Sequence, residues 1–281
     1  DNGIKVAVTI DFEADRGVNG NTDDVFLAVS SDTLGKVELG ATKSAFSKLA
    51  NTAPVGGVGI NDGDVENFVN VIDDDVYSFA DSDGSKINYY SPSFAGFQIA
   101  ATYGLENTGN PENNGVDLGS TTINNYIGGA TLAYNGEFSG VSIGADVGYL
   151  RSFQGGTTAE DDEELYHYGL SVGVAGFTIA GGYGVQENNG GTVDADRDVY
   201  DVGVSYATGP YTISAGYQNI DEDRSGTDND QEQDLIVGAV EYDLGAGLTA
   251  HLSVFNVDID ATVNANDRES FGVATGIKAS F

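Results

Sequence analysis

The chain has no cysteine, few basic residues and no long apolar run. Without cysteine there is no disulfide framework and no thiolate metal site. Only 11 Lys and Arg stand against 44 Asp and Glu, a formal charge of −33. Binding nucleic acid takes clusters of Lys and Arg to neutralise phosphates, so nucleic acid is excluded as a partner. A membrane is not excluded, because loops can hold acids away from lipid. A transmembrane helix needs ~20 consecutive apolar residues. No run approaches that length, so a membrane could be crossed only by strands.

Such strands are what the remaining pattern predicts. Runs of about ten alternating residues recur along the chain, separated by turns rich in Gly, Asn and Asp. Aromatics bracket these runs at even separations of 6, 8 or 10: Phe97/Tyr103, Tyr126/Tyr134, Phe177/Tyr183, Tyr200/Tyr206, Tyr211/Tyr217 and Phe271/Phe281. An even separation puts both rings on one face of a strand. Between them that face carries Ile99, Ala130, Leu132, Ile179, Val202, Val204, Ile213, Ala215, Val273 and Ile277, while the other carries Gly, Ser, Thr, Asp and Lys. An apolar outer band rimmed by aromatics over a polar inner face predicts an all-β, antiparallel transmembrane β-barrel. Forty glycines suit tight turns and closely packed strands.

Fourteen strands are predicted: 4–13, 23–30, 35–42, 85–92, 95–105, 123–135, 139–151, 164–174, 176–186, 198–207, 210–220, 233–243, 247–258 and 269–281. Ten residues at ~3.3 Å each, tilted ~40°, rise about 25 Å, the height of an outer-membrane apolar band. Short connections (31–34, 93–94, 136–138, 175, 208–209, 244–246) alternate with long ones (14–22, 43–84, 106–122, 152–163, 187–197, 221–232, 259–268). That asymmetry puts the long, acidic loops on the extracellular side of a single domain, 1–281. The chain begins at a turn sequence, Asp1-Asn2-Gly3, from which further residues upstream are expected.

Residues 43–84 are too long for a simple turn. They mix apolar Val55, Val58, Ile60, Val65, Phe68, Val69, Val71 and Ile72 with Asp62, Asp64, Glu66, Asp73, Asp74, Asp75, Asp81 and Asp83, against Lys43 and Lys48. Eight acids less two bases leave a loop charge of −6. A loop of this composition can pack on the barrel wall and put carboxylates into the lumen, which predicts preference for cations. The two histidines, His167 and His251, fall on the lumen face. Nothing marks a Ser as an activated nucleophile, so no enzyme is expected.

One metal motif is present. Asp221, Asp223, Ser225, Gly226 and Glu232 occupy positions 1, 3, 5, 6 and 12 of a twelve-residue calcium loop, in which hard oxygen ligands wrap a glycine turn. The loop joins strands rather than helices, and Asp228 stands where the motif wants an apolar residue. Specific Ca²⁺ binding there and diffuse divalent binding by several loops are both open, and no cofactor is required. A soluble calcium-stabilised adhesin would show a short fixed repeat, which is lacking. A substrate-specific channel would carry lumen-side aromatics, for which Phe26, Tyr90 and Phe255 have the parity.

Three segments carry a family resemblance. Thr33-Leu34-Gly35-Lys36-Val37-Glu38-Leu39-Gly40 resembles the turn and strand preceding the constriction loop of the sixteen-stranded general diffusion porins of Gram-negative outer membranes. Lys86-Ile87-Asn88-Tyr89-Tyr90-Ser91-Pro92-Ser93-Phe94-Ala95-Gly96-Phe97 resembles the strand-turn-strand that follows that loop. The alternating Phe271, Val273, Ile277 and terminal Phe281 resemble the family's last strand. The resemblance implies a homotrimer embedded in outer-membrane lipid and lipopolysaccharide, passing small hydrophilic solutes and cations by passive diffusion. It makes 43–84 the inward-folded constriction, with Asp62, Asp64, Glu66, Asp73, Asp74 and Asp75 as its acids and Lys36, Lys43 and Lys86 as its bases. Family members often carry Arg after the Leu-Gly that ends the preceding strand, and here Ala41 follows. In the family this loop follows the fifth strand. Two further N-terminal strands would bring fourteen to sixteen, and a complete fourteen-stranded barrel is the alternative.

Overall fold

The structure, a computed structural model, describes residues 3–12, 22–61, 64–69, 71, 84–105, 126–153, 162–188, 195–224, 230–262 and 267–280. It has fourteen strands: β1 Ile4–Phe12, β2 Thr22–Ser31, β3 Gly35–Ala41, β4 Ser85–Tyr90, β5 Phe97–Leu105, β6 Tyr126–Phe138, β7 Val141–Phe153, β8 Glu163–Val174, β9 Phe177–Glu187, β10 Arg197–Thr208, β11 Tyr211–Glu222, β12 Gln231–Gly245, β13 Leu248–Ala261 and β14 Arg268–Ala279. Each pairs antiparallel with the next in a single sheet, ordered as in the sequence. Among the described residues β1 and β14 share no register pairs. Every predicted strand is present, with ends moved by three residues at most.

The turns explain the one notable shift. Asn135-Gly136 reads as a hairpin signal, yet β6 runs on to Phe138, which pairs with Val141. The turn is Ser139-Gly140, with both residues at positive φ, as they are in Ala95-Gly96, Ala175-Gly176 and Ala246-Gly247. Two-residue turns of this hand match the right-handed twist of the flanking strands. That match outweighs the ~1 kcal/mol that a left-handed Ala or Ser costs.

The outward face is apolar, as the parity predicts. Val6 and Val8 of β1, Ile99 of β5, Ile179 of β9, Ile213 of β11 and Val273 of β14 are all at least half exposed. So much exposed aliphatic surface would be unstable in water and is the natural partner of hydrocarbon. Rings pair across strands at the rims. At the short-turn end Phe97–Tyr134, Phe177–Tyr206 and Tyr211–Tyr242 have centroids 4.8, 4.2 and 4.8 Å apart. At the long-loop end Tyr149–Tyr166 and Tyr200–Tyr217 are 5.1 and 5.8 Å apart. Such pairs add ~0.5–1.5 kcal/mol each beyond area burial. Phe281 lies outside the described residues.

The inward face departs from the expected uniform polarity. Its short-turn half is small and polar, with Gln98, Asn135, Ser142, Ser171, Thr178, Ser205 and Thr212. Toward the long loops the same parity carries Ile127, Leu150, Leu165, Val199, Ile220, Leu235, Val257 and Ile259, all buried. These residues form the larger part of an apolar core inside the lumen.

Candidate pore constriction

The segment after β3 turns inward and runs along the inner wall as far as β13. Its root is fixed by polar contacts. Asn88 Nδ2 donates to Lys43 O at 2.9 Å, and Ala45 N donates to Thr102 Oγ1 at 2.8 Å. One helical turn follows, α1 Ala45–Leu49, whose N-cap Ser44 accepts from Ser47 N. The hydroxyl satisfies one of the amides that a helix start leaves unpaired.

Beyond α1, wall side chains capture the segment's backbone amides in turn. Asp146 Oδ1 accepts from Asn51 N at 2.7 Å and from Asn51 Nδ2 at 2.8 Å. Its other oxygen lies 2.6 Å from His167 Nδ1, with both side chains 1% exposed. Asp201 accepts from Ala53 N and, at 3.0 Å, from Asn61 Nδ2, whose side chain also accepts from Gln218. Ser214 Oγ accepts from Gly56 N at 3.0 Å, and Ser253 Oγ from Val58 N at 3.1 Å. An extended segment has no partners of its own for these groups, and leaving them buried and unpaired would cost ~1–3 kcal/mol each. Asp146 on β7, Asp201 on β10, Ser214 on β11 and Ser253 on β13 are therefore the seats that hold the segment against the wall.

Lumen-facing glycines make the channel in which it lies. A Cβ at Gly148 would come within 2.6 Å of the Phe46 ring, and one at Gly169 within 2.6 Å of Asn51 O. At Gly216 it would meet Val55 Cγ2 at 2.5 Å and Ile60 Cδ1 at 2.8 Å. The far end docks through apolar contact instead. Val58, Ile60 and Val65 are buried together with Val199, Ile220, Leu235, Val237, Phe255 and Val257. Phe68 lies 5.9 Å from the Phe255 ring. Because one short segment touches walls from β3 to β13, the sheet must wrap around it. That is the geometry of a barrel with an internal loop.

The candidate residues fall as follows. Asp64 and Glu66 belong to the 3-10 turn Asp64–Asn67. Asp62, Asp73, Asp74 and Asp75 lie outside the described residues. Lys36 projects into the lumen and binds Glu38 at 2.8 Å. Lys43 anchors the root through its carbonyl. Lys86 has lumen parity but is 2% exposed, and its ammonium donates to Gly84 O. Of the lumen-parity aromatics, Tyr90 and Phe255 are covered, whereas Phe26 is only half-buried. Asp221 and Glu232, the first and last positions of the calcium motif, are register partners across β11 and β12. Asp223 exchanges backbone hydrogen bonds with Asp196, and Ser225 lies outside the described residues. Among the described residues no group of three or more Asp, Glu or His could hold a metal ion.

The seats Asp146 and Asp201 were not singled out from sequence, and His167, placed on the lumen face, was not linked to Asp146. A usable signal was there. Each carboxylate is a lone acid in mid-strand, on the face opposite the lipid, and an ionisable group at that depth must find a partner inside the protein.

A family model described as Gram-negative porin matches residues 1–262. No curated protein matches the sequence. Similar folds occur in a loop-deletion mutant of OmpT, an outer membrane protein of Vibrio cholerae, at 17% identity over 99% of this chain and 86% of that one, with a TM-score of 0.67. The anion-selective porin from Comamonas acidovorans is similar at 17% identity over 99% and 85%, TM-score 0.66. The outer membrane channel DcaP of Acinetobacter baumannii is similar at 14% identity over 99% and 81%, TM-score 0.62. With a lipid-facing wall, an inner face that is polar in its short-turn half and an internal loop already in place, the match over nearly the whole length means that the chain belongs to the Gram-negative porins, diffusion channels of the outer membrane.

Proposed function

We propose that the protein is a cation-preferring general diffusion porin that works as a homotrimer. The observation that carries this reading is the crowding of acid at the extracellular rim. Glu163 and Glu222 sit with lumen parity at the long-loop ends of their strands, and Glu187, Glu232 and Asp260 crown the same ends with the opposite parity. Among the described bases at these ends, Arg151 binds Asp162 and Glu164 and Arg224 binds Glu222, whereas Arg197 is buried and Arg268 is exposed. At physiological salt the Debye length is ~8 Å, so charges around a narrow entrance still act on an ion passing among them. Low-dielectric walls focus that field and raise the local cation concentration.

The homotrimer is supported by the family and by a structural neighbour, the OmpT of Vibrio cholerae, which is described in a trimer form. The test of selectivity is the reversal potential across a planar bilayer in a KCl gradient. Cationic sign is expected, weakening as salt rises. Changing Asp73, Asp74 and Asp75 together to Asn should move it toward zero. A wild-type potential of anionic sign would reject the cation preference.

A further inference from the structure

Four of the chain's six lysines, Lys36, Lys43, Lys48 and Lys86, gather where the inward segment leaves the wall. In a protein of charge −33 this is an island of positive charge. Two of its ammoniums share one carboxylate. Lys36 Nζ lies 2.8 Å from Glu38 Oε1, and Lys48 Nζ lies 3.1 Å from Glu38 Oε2. Glu38 is buried and also accepts from Tyr90 OH at 3.1 Å. Glu38 therefore stands against two bases, and Asp24 is a second acid near Tyr90, so two acids face the four lysines of the island.

The ammoniums are held in place from below by rings. Lys36 Nζ sits 4.1 Å from the Tyr90 centroid, and Lys48 Nζ 4.5 Å from that of Phe26. Each such contact is worth ~0.5–1 kcal/mol at a partly exposed site and limits the wandering of a long side chain. An ammonium has three donors. Among the described residues Lys36 Nζ commits one to Glu38, and Lys48 Nζ commits one to Glu38 and one to Thr42 Oγ1. Both side chains remain partly open, and both line a cavity of about 480 Å³ at the short-turn mouth. Hydroxyls of Ser30, Ser31 and Ser91 make up much of the remaining wall. Asp32, also on the wall, has a side chain 91% exposed and answers Lys5 at 3.6 Å. Its opposition is therefore strongly screened.

We propose that this cavity is a subsite for a small organic carboxylate, gripped by Lys36 and Lys48 on its way through the pore. Excess positive charge, immobilised donors and surrounding hydroxyls are what a carboxylate needs to exchange its water shell for charge-assisted hydrogen bonds. A volume of this size suits a molecule of a few carbons. The proposal rests on the channel reading and not on the sign of its selectivity.

The test uses the purified porin in planar bilayers, with succinate titrated into KCl on the short-turn side. Wild type should show brief current blockades that saturate with concentration. Replacing Lys36, Lys48 and Glu38 together by Gln leaves no buried carboxylate stranded. It should raise the half-blocking concentration by about tenfold. Lys36→Gln alone, which leaves Glu38 its Lys48 partner, should act in the same direction and covers failure of the triple variant to insert. Lys36→Arg with Lys48→Arg should keep the blockade. Arg268→Gln with Lys278→Gln removes more lumen charge away from the cavity and should change it little. Absence of saturable blockade in wild type, or equal loss in the cavity and distant variants, would overturn the subsite. An anion-selective channel that still shows the site-specific blockade would sink only the cation preference.

Discussion

Asp146 is the most exacting place to perturb the seating of the inward segment. One carboxylate serves Asn51 N, Asn51 Nδ2 and His167 Nδ1 at 2.7, 2.8 and 2.6 Å. Hydrogen bonds to a charged group contribute ~1.5–3 kcal/mol each. Asp146→Ala removes both bonds to Asn51 at once, and it leaves a buried amide and imidazole facing a hole. Taking the lower figure for each, the inward segment loses about 3 kcal/mol of seating free energy. Each 1.4 kcal/mol is a tenfold change in an equilibrium, so the unseated population should rise about a hundredfold. Asp146→Asn keeps an oxygen for Asn51 but gives up the charge and turns an NH2 donor toward His167 Nδ1, so its effect on the segment should be a fraction of this.

The assay is a nitroxide at position 50. The chain has no cysteine, so Ala50→Cys provides a single labelling site without further change. The label should be immobilised in the parent, gain a mobile component in the Asn variant and be largely mobile in the Ala variant. Single-channel current noise should increase in the same order. Identical spectra and noise in all three would refute the claim that Asp146 seats the segment. Asp198→Ala, on the outer wall, serves as the comparison that should leave both unchanged.

Two further outcomes follow from the same geometry. A methyl group at Gly216 collides with Val55 and Ile60, and overpacking costs ~1–3 kcal/mol. Gly216→Ala should therefore lower thermal stability and disturb the seated segment, whereas Gly238→Ala, whose Cβ would meet only Val254 Cγ2 at an ordinary 3.6 Å, should leave both unchanged. The Asp221 to Glu232 hairpin binds Ca²⁺ specifically only if Asp221→Ala with Glu232→Gln abolishes a saturable calorimetric isotherm and the calcium dependence of stability. An unchanged isotherm would leave diffuse binding by the acidic loops.

The strands and their two faces were legible from residue order alone. Alternation is a local property: the parity of Phe177 and Tyr183, or of Tyr211 and Tyr217, assigns each ring to the lipid side whatever the neighbouring strands do. The register was less legible, as β6 shows. Asn135-Gly136 is a strong turn signal, but Ser139-Gly140 closes the hairpin, because there the full ladder to β7 is completed. The loop 43–84 was legible as long, acidic and partly apolar, and its entry into the lumen was expected from that mixture.

Its path along the wall was not legible. Asp146, Asp201, Ser214 and Ser253 are spread over more than a hundred residues, and only the curvature of the sheet brings them onto one line beneath residues 51–58. Gly148, Gly169 and Gly216 are unremarkable among forty glycines until the segment rests on them. The apolar patch around Leu235 and Val257 contradicts the polar inner face that alternation predicts, since it is a partner for Val58, Ile60 and Val65 rather than for water. The amino-acid sequence by itself determined strand, face and charge, because these depend on near neighbours in the chain. The tertiary structure alone decided which side chains seat the inward segment and which lysines share Glu38. Those contacts join residues that nothing but the curvature of the sheet holds together.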